Sequence, residues 1–334
     1  MDAFSYTSIL MLESADWWLW GVMAIGLVIA GGWLRGLPRG PRFAVRMAGE
    51  ITLVVGLALS AIALYQTWYT HRPIPVNTHE TLLQGVTYTR DVRSEPRPLV
   101  IHVVTVDLDT PGLQFLVTPG DPSQEYAVTA RTTSQFLTEF ELQVAVNGDF
   151  FTDFWTNGPD DYFPHAGDPV NVTGVAISRG VSYGLNRWDA IPLYVSEDNI
   201  VSVREPAGAV YNAVSGNTLF VENGVAITGY TEDFHLLQHP RTAALLDESG
   251  RTFLLMVVDG RQQGYSEGVS IPELADIAIE YGAYTAVNLD GGGSSTLVVE
   301  GINGQPVVLN SPIDQNMPGR ERVVANHLGL YARR

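Results

Sequence analysis

Two long stretches without a charge lie near the start of the chain, Trp17 to Leu34 (18 residues) and Ile51 to Tyr69 (19 residues). As helices, each would cover roughly 27 to 30 Å, the thickness of a bilayer core. Neither shows the polar stripe that a helix lying on a soluble core keeps. Trp17, Trp18, Trp20 and Trp33 bracket the first run, and Tyr65, Trp68 and Tyr69 close the second, as rings at headgroup level do. The pattern predicts a transmembrane hairpin over residues 1–70, with spans at about 17–34 and 51–69. Pro73 and Pro75 then favour an extended tether at 71–80.

From residue 81 the period changes. Val100, His102, Val104 and Val106 alternate with Ile101, Val103 and Thr105 until Thr110, Pro111 and Gly112 break the run, which predicts hairpin-linked strands. Thr132 to Leu142 has helical spacing, and Gln143 to Val146 reads as a strand running into Asn147, Gly148 and Asp149. Phe154 to Phe163 is aromatic and aperiodic and reads as a long surface loop, and short strands follow to about residue 230. Thr252 to Val258 is a buried strand ending in Asp259. Ser270 and Glu273 form a capping box for a helix whose apolar face is Ile271, Leu274, Ile277, Ala278 and Tyr281, and Gly282 stops it. Tyr284 to Leu289 is a second strand, ending in Asp290.

A strand, helix, strand unit of this length is expected to be parallel and right-handed. Asp259 and Asp290 would then share one sheet edge, where open α/β sheets bind ligands. If the strand before Asn147 joins the same sheet in the same sense, that edge also gains Asn147 and Asp149. The expected fold class is α+β: a mixed β-sheet domain over residues 81–334, with flanking helices and a βαβ unit holding the site, preceded by the two-helix hairpin.

Charge separates these two parts. All 19 basic residues are Arg, 36 residues are acidic, and the formal charge is −17. Residues 1–70 hold four Arg (35, 39, 42, 46) and four acids (Asp2, Glu13, Asp16, Glu50), so the whole net charge belongs to the rest. Duplex nucleic acid, which needs a basic face, is excluded as a partner. The absence of Cys removes disulfides, thiolate metal sites and a cysteine nucleophile, and the absence of Lys removes a catalytic lysine. The loop from Arg35 to Glu50 is basic and the N-terminal segment is acidic, which puts the loop in the cytoplasm and the N-terminus and residues 71–334 on the exterior. A cleaved signal peptide would need its basic residues ahead of the first apolar run, where Asp2, Glu13 and Asp16 stand instead.

The candidate chemistry gathers after the two strands. Asp290 is followed by Gly291, Gly292, Gly293, Ser294 and Ser295, a run whose backbone can approach a ligand and turn N–H groups and two hydroxyls toward an anion. A tight turn is the plainer alternative. His235 and His239 are four apart, as a helical metal pair would be, but Pro240 breaks the helix such a pair needs. The sequence requires no cofactor. It leaves a divalent cation such as calcium open, with Asp160 and Asp161 the oxygen-rich turn to consider.

Several segments, taken together, resemble the phosphodiester glycosidase family: Asn147 to Phe151, His239 to Ala243, Val258 to Arg261, Tyr265 to Gly268, Asn288 to Ser295, and Glu321, Arg322 and Asn326. The resemblance runs in order over about residues 80–332. It implies a hydrolase that cleaves the bond between a sugar's anomeric carbon and a phosphodiester, acting on an envelope or extracellular glycan such as an exopolysaccharide. In this reading Asp290 is the nucleophile or base and Asp259 steadies charge. Asn147 orients sugar or water, and Arg241 and Arg261 grip phosphate together with the run from Gly291 to Ser295. The family pattern at 147–151 commonly reads Asn, Gly, Gly, Phe, Phe. Here Asp149 replaces the second Gly, so the site gains a carboxyl or the loop merely tolerates one. Two other readings stand beside this one: a noncatalytic phosphoglycan-binding or assembly protein, and a glycosidase acting on a linkage without phosphate.

Overall fold

The computed structural model describes residues 24–31, 43–70, 72–158, 161–187 and 189–333. It divides into two units between Ile74 and Pro75.

In the first unit a 28-residue helix runs Phe43–Thr70, and its segment Met47–Tyr65 is long and apolar enough to cross a membrane. The hydroxyls of Thr52, Ser60 and Thr67 each donate to the carbonyl four residues earlier, so these side-chain hydrogens are satisfied within the helix itself. The helix starts eight residues before the expected span, so part of the predicted loop 35–50 is helical. Of the predicted first span, residues 24–31 are described and are helical; the remainder lies outside the described residues. A Cβ on Gly31 would meet the backbone N of Leu53 at 2.5 Å, and one on Gly56 the backbone N of Val28 at 2.7 Å. The two helical segments therefore pack backbone to backbone, which only glycine permits.

The second unit is rich in sheet, with few helices. Its largest sheet has eight strands in the order Thr78–Leu83, Val86–Arg93, Leu99–Asp107, Thr252–Val258, Arg241–Leu246, Thr285–Asn288, Thr218–Glu222 and Val225–Ala226. A five-stranded sheet runs Pro306–Val308, Leu297–Glu300, Val144–Asn147, His327–Tyr331 and Gln114–Val117. A second five-stranded sheet holds Asn212–Gly216 and Ile191–Val195. Valines and leucines from all three, among them Val104, Val146, Leu255, Leu297, Val214 and Leu328, form one core. The other face of the large sheet is covered by the helix Ile271–Glu280 and that of the first five-stranded sheet by the helix Thr133–Glu139. Strands such as Thr252–Val258 are buried on both faces, which is why they read as unbroken apolar runs.

Both helices open on capping boxes: Ser270 with Glu273, as its sequence predicts, and Thr132 with Gln135, where the sequence shows only the helical spacing. Glu273 is also held by the guanidinium of Arg97 at 2.8 Å, a structural position. Three local expectations are corrected. The strand Thr78–Leu83 takes up the end of the predicted tether, because its backbone pairs with Val86–Arg93 as the sheet edge. Within the predicted loop, Trp155–Gly158 and Asp161–Phe163 pair as antiparallel strands: Trp155 lies opposite Phe163 and stacks on it at 4.7 Å. The strands Thr252–Val258 and Thr285–Asn288 run in the same sense but are not neighbours, because Arg241–Leu246 pairs antiparallel with both and separates them.

Candidate active site

Because those two strands run the same way, their C-terminal ends still deliver Asp259 and Asp290 to one edge of the large sheet. Asn147 comes to that edge from elsewhere. Its strand lies in the five-stranded sheet, antiparallel to Leu297–Glu300 and His327–Tyr331, which corrects the expectation of a shared sheet. Its fully buried amide joins the two sheets: Nδ2 donates to the Asp290 carbonyl at 2.6 Å, and Oδ1 accepts from Thr242 Oγ1 at 2.8 Å and from the Thr296 N–H at 3.2 Å. With both ends of its amide spent on the fold, Asn147 positions Asp290.

Asp290 Oδ2 accepts a 2.6 Å hydrogen bond from Ser294 Oγ, one turn along the glycine run. Burial pushes its carboxyl up to about 6, against the opposing pull of Arg322 and of the Ser294 hydroxyl. Gly292–Ser294 forms a tight 3-10 turn, pinned where the Gly292 N–H donates to the Pro240 carbonyl at 2.8 Å. The glycines have a second reason to be there. A Cβ on Gly292, whose φ is +61°, would lie 3.2 Å from Nη2 of Arg261, and a Cβ on Gly293 would strike the guanidinium of Arg322. The turn is bare because two cations lie against it.

Arg261 is the open one. Its own φ is +58°, and its Nη2 meets His239 Nδ1 at 3.2 Å. No carboxylate of the described residues forms an ion pair with it within 4 Å. Arg322 is fixed by Nε to Asp314 Oδ1 at 2.8 Å, while its Nη1 donates to Ser294 Oγ at 3.3 Å. Burial and the charge of Arg322 both lower the pKa of Arg261, while Asp290 raises it. Two guanidinium groups held this close favour an anion between them. His239 beside them is driven down to about 4 by burial and by Arg261 and Arg241, so its imidazole is neutral at physiological pH.

The other expected residues are placed differently. Arg241 is fully buried and clamps backbone: Nε donates to the Val269 carbonyl at 3.1 Å and Nη2 to those of Phe234 and Leu237 at 2.7 and 3.1 Å, with the Phe234 ring against its guanidinium. Asp259 is equally engaged. It accepts from the Ser311 N–H at 2.9 Å and Asn310 Nδ2 at 3.1 Å and meets His102 Nε2 at 3.2 Å, with Tyr88 OH on the far side of that imidazole. Asn310 in turn bonds the Ser295 carbonyl, so Asp259 braces the back of the glycine turn. Ser295 itself is buried. Asp149 accepts from the N–H groups of Phe150 and Gly174 at 2.7 and 2.9 Å, and burial raises its carboxyl well above the usual range, with the Asp290 charge adding to the effect.

Asp161 spends its carboxylate on Trp155 Nε1 and Asn157 Nδ2 within the hairpin, and Asp160 lies outside the described residues. Among the described residues no group of three or more His, Asp or Glu stands together as a metal site. Sequence reasoning did not assign Arg322 to the site, although it stands within one of the family-like segments; only its approach to Ser294 and Gly293, 28 and 29 positions earlier, shows its place.

The two main sheets of this sheet-rich unit are thus stitched at the Asp290 backbone carbonyl, beside a glycine turn with two Arg against it. The profile of the phosphodiester glycosidase family matches residues 140–331, more than half of the chain, and the chain belongs to that family. It is 24% identical over 196 residues to N-acetylglucosamine-1-phosphodiester alpha-N-acetylglucosaminidase of Homo sapiens, covering 55% of this chain and 37% of that protein. It is 30% identical over 135 residues to the Bos taurus protein of the same name, covering 37% and 25%. The chain thus spans well under half the length of these relatives. Among solved structures, the catalytic domain of the zebrafish enzyme of that name, auto-inhibited by its pro-peptide, superposes with a TM-score of 0.54 at 21% identity, over 79% of this chain and 86% of that one. A hypothetical protein from Synechocystis gives 0.50 at 17% identity, over 78% and 64%. These two likenesses concern the fold.

Proposed function

We propose that the chain hydrolyses the bond between a sugar's anomeric carbon and a phosphodiester oxygen, in an envelope or extracellular glycan, from a membrane-anchored position on the exterior face. The observation that supports this best is the pair Arg261 and Arg322 on either side of the glycine turn next to Asp290. Phosphate bound there puts the sugar's C1 toward the carboxylate. As the C1–O bond breaks, its electrons go to the phosphate oxygen, where the guanidinium groups hold the growing charge. Asp290, ionised above about pH 6, bonds C1 or takes the proton of the attacking water. Phosphate is a good leaving group, so little general-acid help is needed. Asn147 and Asp259 keep Asp290 and its turn in place.

The test compares a sugar-1-phosphodiester with the matching aryl glycoside, using the full chain in detergent. Cleavage of the diester alone is expected. Arg261→Lys and Arg322→Lys keep the charge but lose the planar fork, and should each cost at least tenfold in kcat/KM, about 1.4 kcal/mol. Equal cleavage of the aryl glycoside would remove phosphate from the reading. Binding without cleavage of either would make the chain a phosphoglycan-binding or assembly protein.

A further inference from the structure

The strand Leu99–Asp107 turns His102, Val104 and Val106 to one face, and the two valines belong to the core between the sheets. An imidazole buried in such a place needs a partner for each of its nitrogens. His102 has both: Tyr88 OH lies 2.8 Å from Nδ1 and Asp259 Oδ2 lies 3.2 Å from Nε2. The partners assign the tautomer. Asp259 also accepts from the Ser311 N–H, at 2.9 and 3.1 Å to its two oxygens, and from Asn310 Nδ2 at 3.1 Å. It is an acceptor throughout, so the imidazole hydrogen that meets it sits on Nε2. Burial pushes the Tyr88 hydroxyl up to about 12, so it keeps its proton and donates it to Nδ1.

From Asp259 the same bonds run on to both guanidinium groups. Asn310 Nδ2 donates to the Ser295 carbonyl at 3.0 Å and Asn310 Oδ1 accepts from the Leu297 N–H at 2.9 Å, so the exit of the glycine turn is tied to this side chain. Ser311 is gripped a second time, by Gln262, whose Nε2 donates to the Ser311 carbonyl and whose Oε1 accepts from the Ser311 hydroxyl, each at 2.8 Å. Asp259 and Gln262 flank Gly260 and Arg261. The short stretch that carries Arg261 is therefore fastened at both of its ends to residues 310 and 311. Three positions further on, Asp314 Oδ1 holds Arg322 Nε at 2.8 Å. Residues 310–314 thus form a brace between Arg261 and Arg322, with the glycine turn joined to it.

We propose that His102 is a positioning residue for phosphate binding: by holding Asp259 against Asn310 and Ser311, it fixes the separation of Arg261 and Arg322. Tyr88 supports it by fixing the tautomer. The proposal rests on the placing of phosphate between those two Arg. A buried chain that served stability alone could be broken without changing the affinity for phosphate in the molecules that remain folded. This one could not, because a guanidinium fork grips phosphate oxygens only over a narrow range of positions.

The test measures methyl phosphate binding by calorimetry and sugar-1-phosphodiester hydrolysis, with the full chain in detergent. His102→Phe keeps a ring in the core and removes the Nε2 hydrogen. Folded His102→Phe should bind methyl phosphate about tenfold more weakly and lose a similar factor in kcat/KM. His102→Gln puts an amide N–H where Nε2 stood and should recover most of both, which a general loss of packing would not allow. Tyr88→Phe keeps the ring but not the hydroxyl and should weaken binding about threefold; it decides alone if His102→Phe does not fold. Affinities of folded His102→Phe or, in its place, Tyr88→Phe equal to the wild type overturn the positioning role, and so does a His102→Gln no better than His102→Phe. A wild type that binds methyl phosphate but hydrolyses no diester removes the proposed activity and leaves the affinity comparison to decide the role of His102. A wild type that binds no methyl phosphate removes the phosphate site and that role together.

Discussion

Asp290 is held between two opposing effects. Burial favours its protonated form, and Arg322, Arg261 and Ser294 favour its charge, with the balance near 6. The unfolded chain releases that proton nearer 3.8, so between these values the native state holds a proton that the unfolded state has lost. Stability therefore falls as pH rises through this window, by roughly 3 kcal/mol in all. Asp290→Asn removes the buried charge while keeping the shape. It should raise the thermal midpoint by several degrees at pH 7.5 and by almost nothing at pH 4, and lower turnover by orders of magnitude. Thermal unfolding at the two pH values checks the first part; an unchanged midpoint at pH 7.5 would contradict it. The same balance sets the activity profile. kcat/KM should rise with pH through about 6, and Arg322→Gln, which withdraws a favourable charge, should move that rise to higher pH.

At the scale of the element, the glycine turn is shaped by what lies against it. Gly293→Ala puts a methyl group where the Arg322 guanidinium sits, so that side chain must leave Ser294. The expected result is an intact fold with KM for a sugar phosphodiester raised at least tenfold. Gly282→Ala is the control, since Gly282 ends the helix Ile271–Glu280 at φ +86° with open space around it. It should cost about 1 kcal/mol of stability and leave KM alone. Equal effects of the two variants on KM would mean that the Arg322 contact is incidental. The helix, its capping box and its glycine stop were all legible because they depend on residues at most four apart. The hairpin at 155–163 was not, because its order comes from rings pairing across two strands instead of from a period along one.

At the scale of the whole molecule, an apolar helix and an acidic sheet-rich unit share one chain. The four Arg at 35, 39, 42 and 46 precede or begin that helix, and the net −17 follows it. Protease added to intact cells whose outer barrier, if any, has been opened should therefore digest residues 75–334 and spare the basic segment. Protection of the large unit would reverse the orientation. Loss of the unit from washed membranes without protease would argue against the anchor.

The sequence alone determined what arises within a few residues. That includes the apolar run long enough to span a bilayer, the capped helices, the strand ends at Asp259 and Asp290 and the glycine run after them, all set by period, propensity and chain direction. The tertiary structure decided which of the candidate polar groups remain free. Arg241 and Arg261 look alike as sequence, yet one is spent on three backbone carbonyls and the other faces the turn. Asp259 and Asp290 end equivalent strands, yet one is saturated by Asn310, Ser311 and His102, and the other keeps a raised carboxyl beside two cations. A polar side chain acts on a ligand only with the hydrogen-bonding capacity the fold has left it, and here that remainder is set by partners up to 157 positions away.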